Sequence, residues 1–232
     1  MYLAQDINTR IEGSELVTCL NKTVTSFHLN TMINEIVKPF GARCMVQPIS
    51  QNADVFKGRG DIKKTDVLLG ADYSGERKRN KVTIFIRMLN PQMKISLTRP
   101  RLNKLIFLVA ECLQHELNHQ TQEKKIGKAF YTNHLPVAHS QQILKSRKDN
   151  IKYLSNTEEI DSFAHDLAME IKFWYPKHSP KEIFNTLDSR KLLKAYSAYR
   201  NTFRGVEWTH IRKTLLKKTW KWLPKVIPPS RV

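Results

Sequence analysis

The run Ala110-Glu111-Cys112-Leu113-Gln114-His115-Glu116-Leu117-Asn118-His119 constrains this chain more than any other. It sits in a segment, residues 99–122, where Leu102, Leu105, Ile106, Val109, Cys112 and Leu113 recur at helical spacing. Thr98 suits the N-cap of such a helix, and Pro100 suits its first turn. His115 and His119 are then one turn apart, so both imidazoles share a face. Two neutral imidazoles at that spacing can hold one metal ion, with Glu116 beside an open coordination position. The plainer alternative is a pair of partly exposed histidines near a helix end.

The remaining pattern mixes short strands with helices. Residues 1–25 show no sustained period and read as an irregular arm. Phe27, Met32, Ile33, Ile36 and Val37 predict a helix over residues 27–40, ended by Pro39 and Gly41. Residues 42–49 and 66–71 read as extended, separated by a polar loop at 50–64 that contains Gly58 and Gly60. After a charged connection at 73–80, Val82, Ile84 and Ile86 alternate with Thr83, Phe85 and Arg87, the clearest strand in the chain. Residues 123–146 are polar and irregular. A second strong helix starts near Asn156 or Thr157, carries Ile160, Phe163, Ala164, Leu167 and Ile171, and ends at Pro176. Ser179-Pro180 opens a further helical region with Ile183, Leu187, Leu192, Leu193 and Tyr196. The order of elements implies an α+β fold: a small mixed sheet, the helix with the two histidines, then a helical C-terminal part.

A formal charge of +18 over 232 residues favours acidic partners: nucleic acid, an anionic membrane or an acidic protein. The charge concentrates at the end, where residues 189–232 carry twelve Lys or Arg against one acid, Glu207. Trp208, Ile211, Leu215 and Trp222 recur there at roughly helical spacing, which predicts a basic helix packed on the main domain by its aromatic side. Cys19, Cys44 and Cys112 make no even disulfide framework and suit a reducing setting. The N-terminus has no signal-peptide pattern, and the longest apolar run, residues 105–110, is too short to cross a membrane.

A zinc site needs a third protein ligand. The pattern H-E-x-x-H-x-x-G-x-x-H does not supply it, because Gln122 stands at its glycine and Lys125 at its third histidine. The second helix offers Glu158, Glu159, Asp161 and His165. With successive residues turned by about 100°, Glu158 points away from the apolar stripe, Glu159 lies on one flank with Asp166, and Asp161 and His165 lie on the other. A ligand belongs on a flank, so the order of preference is Glu159, then Asp161, then His165.

Together, His115–His119 and the segment Tyr153-Leu154-Ser155-Asn156-Thr157-Glu158-Glu159-Ile160-Asp161-Ser162-Phe163-Ala164-His165-Asp166 resemble the gluzincin class of zinc metallopeptidases. That class pairs H-E-x-x-H with a glutamate on a following helix. The second segment is also similar to metallopeptidases of tailed bacteriophages. The resemblance implies a zincin-like domain over residues 1–178 and a basic helical extension over 179–232. It implies Zn2+ on His115, His119 and Glu159, and Glu116 as general base. Tyr153, Tyr131, His139 and His165 are candidate oxyanion donors, of which Tyr153 is carried forward. Thermolysin-like members place an aspartate four residues after the ligand glutamate. Position 163 is Phe here, so Asp161 and Asp166 become the candidates to orient a histidine. In the implied fold an edge strand above the active helix pairs with extended substrate, and residues 81–88 are the candidate.

The expected function is hydrolysis of a protein or peptide substrate, in the virion or the host cytoplasm, in contact with other virion proteins. The competing expectation is a non-catalytic structural or DNA-associated virion protein that keeps the same fold. The intact set of His115, Glu116 and His119 favours the enzyme, and the basic surface leaves nucleic acid as a further partner.

Overall fold

The structure, a computed structural model, describes residues 2–48, 68–73, 82–88, 90–126 and 147–232. It is a mixed α+β protein with small sheets. The chain forms two compact units, Tyr2–Leu117 with Pro229–Val232, and Asn118–Pro228. This division by compactness runs through a helix; the functional boundary expected at residue 178 is a separate matter. The loop at 50–64, the connection at 74–80 and the polar segment at 127–146 lie outside the described residues.

The N-terminal unit begins with α1 (Tyr2–Glu12), α2 (Glu15–Thr18) and β1 (Thr23–Thr25). The expected irregular arm is therefore mostly helical. Ile7 and Ile11, one turn apart, and Leu16 are fully buried, a stripe too short to register as a period. In α3 (Ser26–Val37), Thr25 caps the start by accepting from the His28 N–H at 3.1 Å. Leu29, Met32, Ile33, Ile36 and Val37 form its core face, while Phe27 turns outward with 69% exposure. A short 3-10 turn, Lys38–Phe40, then leads to Gly41, whose φ of +70 is the left-handed geometry that favours glycine.

The main sheet has β2 (Ala42–Pro48), β4 (Val82–Met88) and β3 (Leu68–Tyr73), in that spatial order. β2 runs parallel to β4, with Cys44 opposite Ile84, and β3 runs antiparallel, with Ala71 opposite Ile84. β4 is thus central and both its edges are paired. This corrects the expectation that residues 81–88 form a free edge for substrate: alternation reports which face is buried, not how many neighbours a strand has. The outer edge of β2 is partly covered, since Asn34 accepts from the Cys44 N–H at 2.7 Å and donates to its carbonyl at 3.0 Å. Burial pushes the Cys44 thiol up to about 12, which makes it a packing group rather than a nucleophile. β5 (Lys94–Ser96) pairs antiparallel with β1.

Helix α4 (Arg99–Ile126) starts where expected, with the Thr98 carbonyl accepting from the Leu102 N–H at 2.8 Å. Leu102, Leu105, Ile106, Val109 and Leu113 are buried with Phe107, Ala110 and Leu117, whereas Cys112 is only partly so. The chain end belongs to the same unit: Ser230 donates to Glu12 at 2.6 Å and the Val232 N–H to Asn103 at 2.8 Å.

The C-terminal unit takes the last turns of α4, then α5 (Arg147–Leu154), α6 (Thr157–Trp174), α7 (Pro180–Asn185), α8 (Lys194–Thr202) and α9 (Gly205–Trp222). Asn156 caps α6 by accepting from the Glu158 N–H at 2.9 Å. From Ala164 to Ile171 every residue of α6 is buried, so this helix is the unit's centre. Ser179 and Glu182 form a reciprocal capping box on α7. The single helical region expected after Ser179 instead breaks into α7, a 3-10 turn (Leu187–Ser189) and α8. Leu193 is buried at the last break and Leu192 is turned to solvent.

No described helix is long and apolar enough to cross a membrane.

Candidate metal centre

Glu159 is the third residue of α6, and His119 lies in the part of α4 that belongs to the same unit. His119 Nε2 and Glu159 Oε1 are 3.5 Å apart, with the two residues only 5% and 2% exposed. The other ring nitrogen, Nδ1, faces Gln122 Oε1 at 2.9 Å. Gln122 Nε2 in turn donates to the Glu158 carbonyl at 3.3 Å, which fixes which end of the amide meets the histidine. An amide oxygen only accepts, so Nδ1 carries the proton that it donates to Gln122. In the neutral ring the Nε2 lone pair then points at a carboxylate. Two acceptors meet in a buried place, an arrangement that calls for a positive charge between them.

Since α4 is unbroken, His115 reaches the same place from one turn earlier. Among the described residues, His115, His119 and Glu159 form a buried group whose potential ligand atoms all lie within 4.8 Å of one another. His115 is the least enclosed of the three. Donors on a tetrahedral zinc, each 2.0–2.2 Å from the ion, lie roughly 3.3–3.6 Å apart, which the His119–Glu159 separation matches. Two imidazoles and one carboxylate also suit that ion chemically.

The alternatives for the third position have other attachments. Asp161 accepts from Lys218 Nζ at 3.0 Å and from Trp222 Nε1 at 3.4 Å. His165 meets Asp166 through Nδ1 at 3.4 Å and packs edge-on against Trp222, with ring centroids 5.1 Å apart. Neither belongs to the three-residue group. Phe163 packs edge-on against Tyr199 at 5.4 Å between ring centroids.

Glu116 is buried, at 7% exposure, and Tyr153 is partly buried in the last turn of α5. Tyr131 and His139 lie outside the described residues.

Two residues near the group were not singled out from the sequence. Gln122 is a partner of His119. Its signal was a position three residues on, on the same helical face. Tyr199, on α8, is fully buried, and its hydroxyl has no hydrogen-bond partner among the described residues. Its pKa is raised, first by burial and then by the carboxylates of Glu159 and Asp166. Those two acids therefore lie toward one side of α6, as the flank geometry anticipated.

Comparison with protein-family models, with curated proteins and with solved structures finds no match.

Proposed function

We propose that this chain is a zinc-dependent endopeptidase of the H-E-x-x-H…E kind, with a zincin-like domain over residues 1–178. What carries the reading is the buried His119 lone pair facing the Glu159 carboxylate, with Gln122 holding the ring in that tautomer. His115, His119 and Glu159 would hold the ion. When bound, zinc supplies a Lewis acid for a carbonyl and lowers the pKa of its water toward neutrality.

The remaining chemistry belongs to the chain. Glu116, next to His115 on α4, accepts a proton from the attacking water and returns it to the leaving amine. Tyr153 is the proposed donor to the developing oxyanion. The substrate is a protein or peptide chain. The likeness of residues 153–166 to phage metallopeptidases extends the proposal to action in the virion or the host cytoplasm, alongside other virion proteins.

The test is metal content followed by cleavage. Protein purified without added metal should carry about one zinc per chain. It should cleave members of a fluorescent peptide library. Glu116→Gln should keep the zinc and lower the cleavage rate by about 10²-fold or more. Cleavage that survives this change removes Glu116 from the mechanism, and a protein that binds no zinc removes the reading altogether.

A further inference from the structure

Helix α9 has two unlike sides. Leu215 and Thr219, one turn apart, are completely buried, and the Thr219 hydroxyl donates back to the Leu215 carbonyl at 2.8 Å. On the other side Lys213, Lys217 and Lys221 are exposed and recur every four residues. That repeat places a cation every ~6 Å along the helix, and Lys225 continues it in the turn that follows.

These four, with Lys125 and Lys218, line a cleft of about 670 Å3 within the C-terminal unit. Among the described lining residues the one carboxylate, Asp161, pairs with Lys218. Among the described residues, no acidic side chain pairs with Lys125, Lys213, Lys217, Lys221 or Lys225. Five ammonium groups around one cleft repel one another and draw a polyanion.

We propose that this cleft binds the phosphate backbone of double-stranded DNA without regard to sequence. A small anion would meet one or two of the lysines, whereas the row on α9 and its following turn extends over ~18 Å. Among the described lining residues there is no Arg, Asn or Gln, and a row of lysine point charges at ~6 Å spacing suits the phosphate backbone better than base edges. Trp222 lines it too, but its N–H is held by Asp161, its ring is in T-shaped contact with His165, and Lys225 sits over its ring at 5.5 Å from the centroid. It offers no open stacking platform, which favours a duplex over an unpaired strand. An acidic polypeptide is usually held by strand pairing or apolar anchors as well as by charge, and the described lining residues, all helical or in a turn and mostly lysine, supply no strand edge.

The test uses the full chain and a fluorescein-labelled 20-base-pair duplex of mixed sequence, titrated by anisotropy from 50 to 200 mM KCl. Binding should weaken along a straight line in log–log form, with a slope of about −4 for four to five phosphate contacts. Unrelated duplexes should bind alike. The triple change Lys213→Gln, Lys217→Gln and Lys221→Gln should flatten the slope by about 2–3 and weaken binding by about tenfold or more at 100 mM salt. Lys177→Gln, Lys181→Gln and Lys191→Gln remove the same charge from exposed positions elsewhere in the unit and should leave binding within about twofold. Equal losses in the two triples would make the binding a property of general surface charge and overturn the proposal. So would absence of binding, a preference for unpaired DNA, or poly-glutamate displacing the duplex at equal charge concentration.

Discussion

Glu159 and Asp161 stand two residues apart on α6 and meet opposite fates. Asp161 faces the cleft, takes the ammonium of Lys218 at 3.0 Å, and keeps about a third of its side chain in solvent. Glu159 is buried, and its carboxylate lies 3.5 Å from a histidine nitrogen whose ring carries its proton on the far side. Glu170, further along the same helix, shows a third solution. It is fully buried but accepts from the backbone N–H groups of Lys194 and Ala195 at 2.6 and 3.1 Å, so it caps the start of α8. Asp161 and Glu170 draw on cations or donors that the chain itself supplies, whereas Glu159 joins His115 and His119 in a buried group that could hold a metal ion.

The largest effects should come from removing that cation's ligands. His119→Ala or Glu159→Ala should each reduce zinc from about one per chain to near none, and cleavage to the uncatalysed level. Atomic absorption and peptide cleavage check this together. Retained zinc in Glu159→Ala would mean that Glu159 is an ordinary buried partner of His119, and the contrast with Asp161 would fail. Gln122→Ala should be milder. Loss of an outer partner weakens metal affinity by about 10–100-fold, read by competition with a chelator, while the fold is kept.

Glu170 separates burial from metal binding. Glu170→Ala leaves the N–H groups of Lys194 and Ala195 without their acceptor and should cost about 1–3 kcal/mol in a denaturant titration, with zinc unchanged. Burial holds the Glu170 carboxyl well above its usual range, against the lowering effect of the Ala195 and Lys194 N–H groups and with Asp166 adding repulsion. A folded pKa above the unfolded one stabilises the protein fully below the ordinary carboxylate range, and this contribution is lost as pH rises through the raised value. Glu170→Gln keeps an acceptor without the charge. Its melting temperature should therefore fall less than that of the parent as pH rises from 5 to 8. An equal or steeper fall would place the titrating group elsewhere.

How much of this was legible in the sequence depended on how local the physics was. The spacing of His115 and His119 is a property of one helix, and the flank that carries Glu159 follows from the turn per residue. Caps at Asn156 and Ser179 were equally local. Gln122 had counted only as a missing glycine, because its meaning comes from the Glu158 carbonyl on another helix. The central place of β4 depends on partners about 15 and 40 residues away in sequence, which its own alternation does not encode. Likewise the apolar row after Ser179 gave no sign that Glu170 would cap a new helix at Lys194. The basic tail was legible as a packed helix, but its lysine row became a cleft only once α6 supplied Asp161 as part of the lining.

The smallest effect, and the sharpest test of the contrast, is Asp161→Asn. The Asp161–Lys218 pair lies near the surface, where an ion pair is screened and contributes at most about 1 kcal/mol. The amide oxygen of asparagine can still accept from the Trp222 N–H, so packing at that ring should persist. Stability should therefore fall by less than about 1 kcal/mol, with zinc content and cleavage unaltered. The change also frees Lys218 and removes the one negative charge among the cleft's described lining residues. Duplex DNA should then bind more tightly, with a salt slope steeper by about 0.9, the value of one added phosphate contact. Loss of zinc on this substitution would put Asp161 at the metal and remove the distinction between the two flanks of α6. An unchanged slope would mean that Lys218 never faces a phosphate, and would confine the DNA row to the lysines of α9 that have no acidic partner among the described residues.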